Sequence, residues 1–414
     1  MELEPDDFTA DGYLDVLIIK DKVLIYFLTL GGFFMENIII KDFWKLHPNL
    51  LQRIESQNFI NDDDALKKEA DLAKHNREVA ELDNLMQGLE FIVINTEINK
   101  LSDAVEEFLL YTGYDIKESF ENDLNQVVVL NCKNSPDVLL TTRKQCENPF
   151  YKLNLHPKSE HLPNTRIEAF FYKTQDITKY QSIQLSRNVT FSTENILSKD
   201  NYEMIQTIPS CFTGISYGAV QWTGKRIYKS STDRDFTLNI KKPSYSYLKN
   251  IKNIDHAATR LPAKYRDAAI IEFMELTNYN FEFAIYVESL NSITNVARLS
   301  AKDFAMVFTS GITTGDDMSK AGPTEKFVYN YGARVHHLAF ITENIENTFE
   351  ELKAKGERFL IDLVGSVEEG LKQTFTYPSP NTLVVNEYIL RYGDFDGFFT
   401  KSNVSNLTLA TDKQ

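Results

Sequence analysis

Cysteine is scarce in this chain of 414 residues: Cys132, Cys146 and Cys211 are too few and too far apart for a disulfide framework or a zinc ribbon. A reducing, cytoplasmic setting is expected. Positive charge is in deficit, with 44 Lys and Arg against 59 Asp and Glu. The resulting net charge of -15 repels a polyanion and argues against nucleic acid as a partner. The opening Met-Glu-Leu-Glu-Pro-Asp-Asp lacks the basic start of a secretory signal and the Arg-rich pattern of a transit peptide, so no export is expected. The longest apolar run, Val23 to Met35, falls short of the ~20 residues that span a bilayer. It reads as a buried helix or hairpin, and no membrane partner is expected. Sequons at Asn188, Asn403 and Asn406 then read as chance matches. With only 17 Gly and 12 Pro beside 43% hydrophobic residues, disorder is excluded for most of the chain.

At ~100–200 residues per domain, the length accommodates two to four compact units. Residues 1–87 read as an N-terminal extension, partly helical. Asp62 to Asp64 are placed to cap a charged helix, and Leu66, Ala70 and Ala73, then Val79, Leu82 and Met86, give it a broken apolar stripe. A solvated helix packed on the main body is the expectation. Beyond Gly88 the chain repeats a pattern. Strand-like runs begin at Leu89, Arg166, Asn253 and Arg334, and aligning Phe91, Ala169, His256 and His337 gives separations of 78, 87 and 81 residues.

In three of these modules the strand is followed by a helical stripe centred on phenylalanine: Ala104, Phe108, Tyr111; Ala269, Phe273, Leu276; Ile345, Phe349, Leu352. Gly113, Asn278 and Gly356 stand where left-handed C-termini are expected. Alternating runs then read as half-buried strands, among them QVVVLN, DVLLTT, FEFAIYVES, FAMVFTS, QTFTYP and TLVVNEYIL. The fold class is α+β: four tandem βαβββ modules that close in pairs into two open-barrel domains. Residues 88–245 form a metal-free pair and residues 246–414 a metal-binding catalytic pair, joined through an extended Pro-containing linker near Pro243.

A histidine beside apolar residues is more often a satisfied core residue than a ligand. His256 and His337, however, occupy the same place in modules three and four, framed as Ile254-x-His256-x-Ala258 and Val335-x-His337-x-Ala339. Pairing of the modules would bring the two imidazoles to one point. Glu387 shares a strand face with Val385 and Ile389, where an unpaired carboxylate would be costly. Two His and one carboxylate form the facial triad of non-haem Fe(II), leaving positions for substrate and oxygen. Phe91 and Ala169 supply no ligand in the first pair. His336, next to a ligand on an alternating strand, is expected to face away from the metal.

These residues resemble the vicinal oxygen chelate superfamily, and within it the 4-hydroxyphenylpyruvate dioxygenase-like family. NIDHAATRL is similar to the first histidine block, GARVHHLAF to the second, and GLKQTFTYPSPNTLVVNEYILRYGDFDGFFTKSNVSNL to the C-terminal signature; coverage is clearest from 250 to 407. The resemblance implies that His256, His337 and Glu387 bind Fe(II). It also implies that Gln373 hydrogen-bonds in the pocket, that Phe375 forms a wall, and that Ser292 and Asn403 supply polar groups. Three departures bear on the substrate. His336 stands where the family has glutamine, Phe308-Thr309-Ser310-Gly311-Ile312 where it has Asn-Glu-Pro, and Ser402-Asn403-Val404 where it has Gly-Asn-Phe. Losing that ring removes stacking worth ~0.5–1.5 kcal/mol and opens volume.

With two neutral imidazoles and one carboxylate, Fe(II) carries a net charge of +1, which a chelating 2-oxo acid neutralises. The resemblance implies oxidative decarboxylation and hydroxylation of such an acid by O2, with Phe375, Phe398 and Phe399 available to line a dry pocket. The alternatives are an extradiol catechol dioxygenase, which also employs a nearby histidine; a glyoxalase-like isomerase, which favours a further carboxylate or glutamine; and a non-catalytic binding protein. A homo-oligomer is compatible with each.

Overall fold

The computed structural model describes residues 38–56, 59–144, 146–314, 321–393, 395 and 397–414. Val23 to Met35 lie outside them. Ile39–Gln414 forms one compact unit. No helix among the described residues is long and apolar enough to cross a membrane.

Two short helices, α1 (Phe43–Leu46) and α2 (Pro48–Ile54), precede α3 (Asp63–Val79). The Asp62 carboxylate caps α3 by accepting the Asp64 N–H at 2.9 Å. Leu66, Ala70 and Ala73 are buried, as are Leu82 and Met86 beyond the end of the helix, whereas Val79 of the expected stripe is 70% exposed. Four βαβββ modules follow. The first is β1 (Met86–Asn95), α4 (Leu101–Tyr111), β2 (Asp115–Glu121), β3 (Asn125–Asn131) and β4 (Asp137–Arg143). The second is β5 (Arg166–Thr174), α5 (Ile177–Ser186), β6 (Leu197–Ser198), β7 (Tyr202–Gln206) and β8 (Ser216–Trp222), trailed by the short β9 (Arg234–Asp235). The third is β10 (Ile251–Arg260), α6 (Arg266–Leu276), β11 (Asn280–Val287), β12 (Ser292–Arg298) and β13 (Ala305–Ser310). After α7 (Pro323–Tyr331), the fourth is β14 (Arg334–Thr342), α8 (Ile345–Ala354), β15 (Val364–Ser366), β16 (Leu371–Phe375) and β17 (Val385–Arg391), and α9 (Lys401–Ala410) follows.

The modules pair through their first strands. One curled sheet has the order β6-β7-β8-β5-β1-β4-β3-β2-β9 and the other β11-β12-β13-β10-β14-β17-β16-β15. The antiparallel pairs β1–β5 and β10–β14 sit at equivalent places, and their registers match. Phe91 lies opposite Phe171 and Val93 opposite Ala169; His256 lies opposite Ala339 and Ala258 opposite His337. The two halves clasp reciprocally, for the buried Arg166 donates to the Ala333 carbonyl at 2.8 Å and the buried Arg334 to the Thr165 carbonyl at 2.5 Å.

Two expectations about chain turns are corrected. Gly356 has φ +96° as expected, but α4 and α6 end without a left-handed residue. Instead the hydroxyls of Thr112 and Thr277 donate back to the Phe108 and Phe273 carbonyls and accept the N–H of Tyr114 and Tyr279, one turn chemistry used twice. Gly113 is needed for a close approach, since a Cβ there would lie 2.1 Å from the Ile251 carbonyl oxygen. The segment after Pro243 is also less free than expected. Tyr247 and Leu248 are buried, and the Tyr247 hydroxyl donates to the Leu110 carbonyl at 2.9 Å.

The N-terminal helices do more than decorate the body. All eleven residues of α6 are buried, so this helix needs cover on both sides. Arg77 of α3 caps its C-terminal end, donating to the carbonyls of Met274, Thr277 and Tyr279 at 3.1, 3.0 and 2.8 Å. His47 stands between two carboxylates, with Nδ1 2.8 Å from Glu69 and Nε2 2.8 Å from Glu275. Burial works to lower the His47 pKa, but the two carboxylates outweigh it and raise the pKa above the ordinary 6.5. Burial works to raise Glu69 and Glu275, yet their partners, His47 first, hold both below 4.5. The raised group stabilises the fold fully below 6.5 and less as pH climbs through its folded value. The lowered groups stabilise it above 4.5 and less as pH falls through theirs. Replacing His47→Gln removes the cation that the two carboxylates share, leaving Glu275 to Arg187 and Glu69 to the Asn49 amide, a loss of about 1.5–3 kcal/mol. The melting-temperature deficit of this variant should be largest near about pH 5.5 and shrink toward about pH 9. A deficit that is constant across pH would contradict this reading.

Candidate metal centre

The three residues expected to converge do so. His256 on β10 lies directly opposite Ala339 on β14, and Ala339 in turn lies beside Glu387 on the parallel strand β17. His337 precedes Ala339 by two residues and shares its face. Three long side chains thus surround one methyl group and lean over it. His256 Nε2 and His337 Nε2 each lie 3.1 Å from Glu387 Oε2 and 3.3 Å from one another. All three residues are buried. With metal–ligand distances of ~2.1 Å, the edge of an octahedral face is √2 times longer, ~3.0 Å, so the donor triangle has the size that a facial set needs. Among the described residues this is the one group of His, Cys, Asp or Glu with metal-ligand proximity.

The surrounding groups fix each donor. Asp255 accepts from His256 Nδ1 at 2.7 Å and is itself held by both terminal nitrogens of Arg391 at 2.7 and 3.0 Å. Gln373 Nε2 donates to Glu387 Oε1 at 2.6 Å, leaving Oε2 for the imidazoles, and Asn403 Nδ2 donates to Gln373 Oε1 at 3.1 Å. His337 Nδ1 lies 2.8 Å from His336 Nδ1, and His336 Nε2 faces the Gln414 amide, 3.0 Å from its Nε2 and 3.2 Å from its Oε1. With the Gln414 Oε1 as acceptor, a proton on His336 Nε2 and another on His337 Nδ1 leave His337 Nε2 as a lone pair facing the triad, the tautomer that metal ligation requires.

Burial would push His256 down, but Glu387 and Asp255 outweigh it and lift the imidazole to about 9. Glu387, which burial alone would raise, is held near about 2 by His256 and His337. Burial takes His337 down to about 4. Without metal the triad is one anion, one cation and one neutral ring, and a divalent ion replaces the His256 proton.

His336 is a correction in part: it does not lie on the opposite face of the strand, but it sits behind the His337 ring, away from the triad nitrogen. Between Ala258↔His337 and Thr259↔Val335 the strand β14 carries one extra residue, and the bulge brings His336 beside His337. Asp255 is the corresponding extra residue of β10, and Glu90 and Glu168 are those of β1 and β5. In all four modules a bulged polar residue precedes the aligned position, a signal that strict alternation conceals. The first sheet uses the equivalent space differently. Phe91 and Phe171 stack at 4.4 Å, and the strand position matching Glu387 is Gly218, where a Cβ would lie 2.4 Å from the Phe171 ring.

A small cavity of about 40 Å³ adjoins His337 and Glu387, walled by Phe375, Phe399, Val404 and Leu407. Gln373 and Asn403 stand behind Glu387, outside that lining. Ser292 is not brought to the triad; its hydroxyl lies 3.2 Å from that of Thr324, and Thr294, two residues on, lines the cavity instead. Arg260, Thr309 and Thr408 also line it and were not singled out from sequence. A larger open groove of about 670 Å³, lined by Lys74, Asp83, Gln175 and Asn278 among others, contains none of the triad.

Comparison with known proteins agrees with this architecture. No protein-family model and no curated protein matches the sequence. A mutant of 4-hydroxymandelate synthase from Streptomyces coelicolor is similar in structure with a TM-score of 0.58 at 14% identity, over 79% of this chain and 99% of that one. A xylose isomerase-like TIM barrel/4-hydroxyphenylpyruvate dioxygenase fusion protein is similar with a TM-score of 0.58 at 14% identity, over 85% of this chain and 59% of that one. The chain therefore has the vicinal oxygen chelate fold.

The crowding around Ala339 gives a test. Ala339→Leu should lose stoichiometric metal by forcing the ligands apart, and Ala339→Gly should keep it. Equal iron content in the two folded variants, measured after anaerobic loading, would contradict the geometry.

Proposed function

We propose that the chain is a non-haem Fe(II) dioxygenase that oxidatively decarboxylates and oxygenates a 2-oxo acid. The carrying observation is the convergence of His256, His337 and Glu387 on one point from three adjacent strands. Bound there, Fe(II) supplies Lewis acidity and electrons for O2, which side chains of this set cannot supply themselves. The fold shared with a dioxygenase fusion protein supports the same reading.

The chain's own residues contribute position and exclusion of water. Arg391 and Asp255 hold the His256 ring, while Gln373 occupies one oxygen of Glu387 and so favours a monodentate ligand. The Phe375 ring lies 4.7 Å from His337 and the Phe399 ring 5.2 Å from His256, so aromatic surface covers two sides of the triad. A cavity of about 40 Å³ holds about one water. A 2-oxo acid is larger, so its entry requires the wall formed by α9 to shift.

One observation favours catechol cleavage, namely that a third histidine, His336, stands beside the site. Both of its nitrogens are engaged, one by His337 and one by Gln414, and it does not line the cavity. It is a poor proton carrier to a substrate in that position.

The reading is tested by oxygen uptake and CO2 release from anaerobically prepared Fe(II) protein supplied with a panel of 2-oxo acids, 4-hydroxyphenylpyruvate included, against a panel of catechols. Uptake coupled to CO2 release should occur with a 2-oxo acid and not with catechols. His256→Ala, His337→Ala and Glu387→Ala should each lose both iron and turnover. Full iron retention in any of the three, or ring cleavage of a catechol, would overturn the proposal.

A further inference from the structure

The strand that carries His256 also brings a cation into the cavity. Arg260 lies four residues further along β10, on the same face, and is 3% exposed. Its Nη1 donates to the Thr411 hydroxyl at 3.0 Å and its guanidinium lies 5.1 Å from the Phe327 ring centroid. Among the described residues it has no further hydrogen bond and no carboxylate in ion-pair contact. Among the other buried arginines, Arg266 pairs with Asp63 and Asp267, and Arg77 caps three carbonyls; Arg166 and Arg334 are buried without a carboxylate partner too, but they clasp the two halves and neither lines this cavity. Asp412 does influence Arg260, but it is over a third exposed and is paired with Lys326 at 3.5 Å. Burial lowers the Arg260 pKa to about 9, which leaves it cationic at neutral pH.

The neighbours of Arg260 form a second polar row. Arg260 lies beside Thr309 on β13, and Thr309 lies opposite Thr294 on β12. All three line the cavity, as does Thr408 of α9, and none of these three threonine hydroxyls has a hydrogen-bond partner among the described residues. The sheet therefore presents two polar groups to one chamber whose other walls are apolar: His337 and Glu387 of the triad in one, Arg260, Thr309 and Thr294 in the other. A buried guanidinium without a counter-charge is costly unless an anion joins it.

Resting on the 2-oxo acid reading, we propose that Arg260 and the adjacent threonines bind a second carboxylate, so that the substrate is a 2-oxo diacid whose far end meets this row. The charges agree. Fe(II) with Glu387 leaves +1, Arg260 adds +1, and a dianion neutralises both.

The test uses matched pairs that differ in the far carboxylate: 2-oxoadipate against 2-oxohexanoate, and 4-carboxyphenylpyruvate against phenylpyruvate. Binding is measured by anaerobic calorimetry on the metal-free and the zinc-loaded protein, alongside oxygen uptake by the iron protein. The wild type should bind one diacid at least about tenfold tighter than its partner, a difference that one charge-assisted contact supports. Arg260→Met should bring that diacid to the affinity of the monoacid, Arg260→Lys should retain part of the preference, and Thr411→Val should retain it fully. Removing an uncompensated buried charge should leave the melting temperature of Arg260→Met unchanged or raised. Absence of preference in both pairs, no binding of any of the four acids, preference surviving Arg260→Met, or loss of preference in Thr411→Val would overturn the inference, the last by making Arg260 a tether for the residues after α9. Oxygen uptake with monoacids but no preference would sink this inference and spare the dioxygenase. An Arg260-dependent preference without uptake of oxygen would do the reverse.

Discussion

The pairing of β10 with β14 is the constraint from which the rest follows. Antiparallel register sets His256 across from Ala339, and parallel pairing sets Glu387 on the other side of the same alanine. A methyl group at the centre lets three long side chains meet above it, at separations of 3.1 to 3.3 Å. Slipping either pairing by one residue would turn a ligand to the opposite face. The reciprocal arginine clasps, and the N-terminal helices wrapped on α6, serve the half of the molecule that holds this register.

Duplication explains both the likeness and the contrast between the two sheets. Each module places a bulged polar residue before the aligned position: Glu90, Glu168, Asp255 and His336. In the second sheet two of these buttress ligand histidines. In the first, Glu168 forms an ion pair with Arg143, and Glu90 takes the Trp222 indole N–H at 2.7 Å and pairs with Arg226 at 3.0 Å. The space between the first-sheet strands is filled by stacked Phe91 and Phe171, for which Gly218 clears room. One half buries aromatic area, while the other gives up packing for a charged cluster whose members compensate one another.

Much of this was legible in the order of residues. The spacing of Phe91, Ala169, His256 and His337 marks positions that strand register makes equivalent, and the helical stripes centred on Phe108, Phe273 and Phe349 lie on helices of the expected modules. What escaped depends on tertiary contacts or on departures from regular period. His336 was misplaced because alternation holds only without a bulge. Arg260 was passed over because a basic residue at a strand end reads as solvated, and burial becomes visible only when α7 and α9 are folded against it. The helix ends at Thr112 and Thr277 look like glycine and asparagine signals until the hydroxyl bonds are seen. Val79 fits a helical stripe on paper, yet the chain turns away toward β1.

The account stands or falls on iron held by two imidazoles and a carboxylate inside the second sheet. An iron K-edge X-ray absorption spectrum of the anaerobic Fe(II) protein, recorded with and without a 2-oxo acid, reads that shell directly. The expected result is one tightly held iron per chain with outer-shell scattering from two imidazoles, and a shell that changes on addition of the acid while both imidazoles remain. Iron that binds only loosely, or that shows an oxygen shell without imidazole scattering, would contradict it.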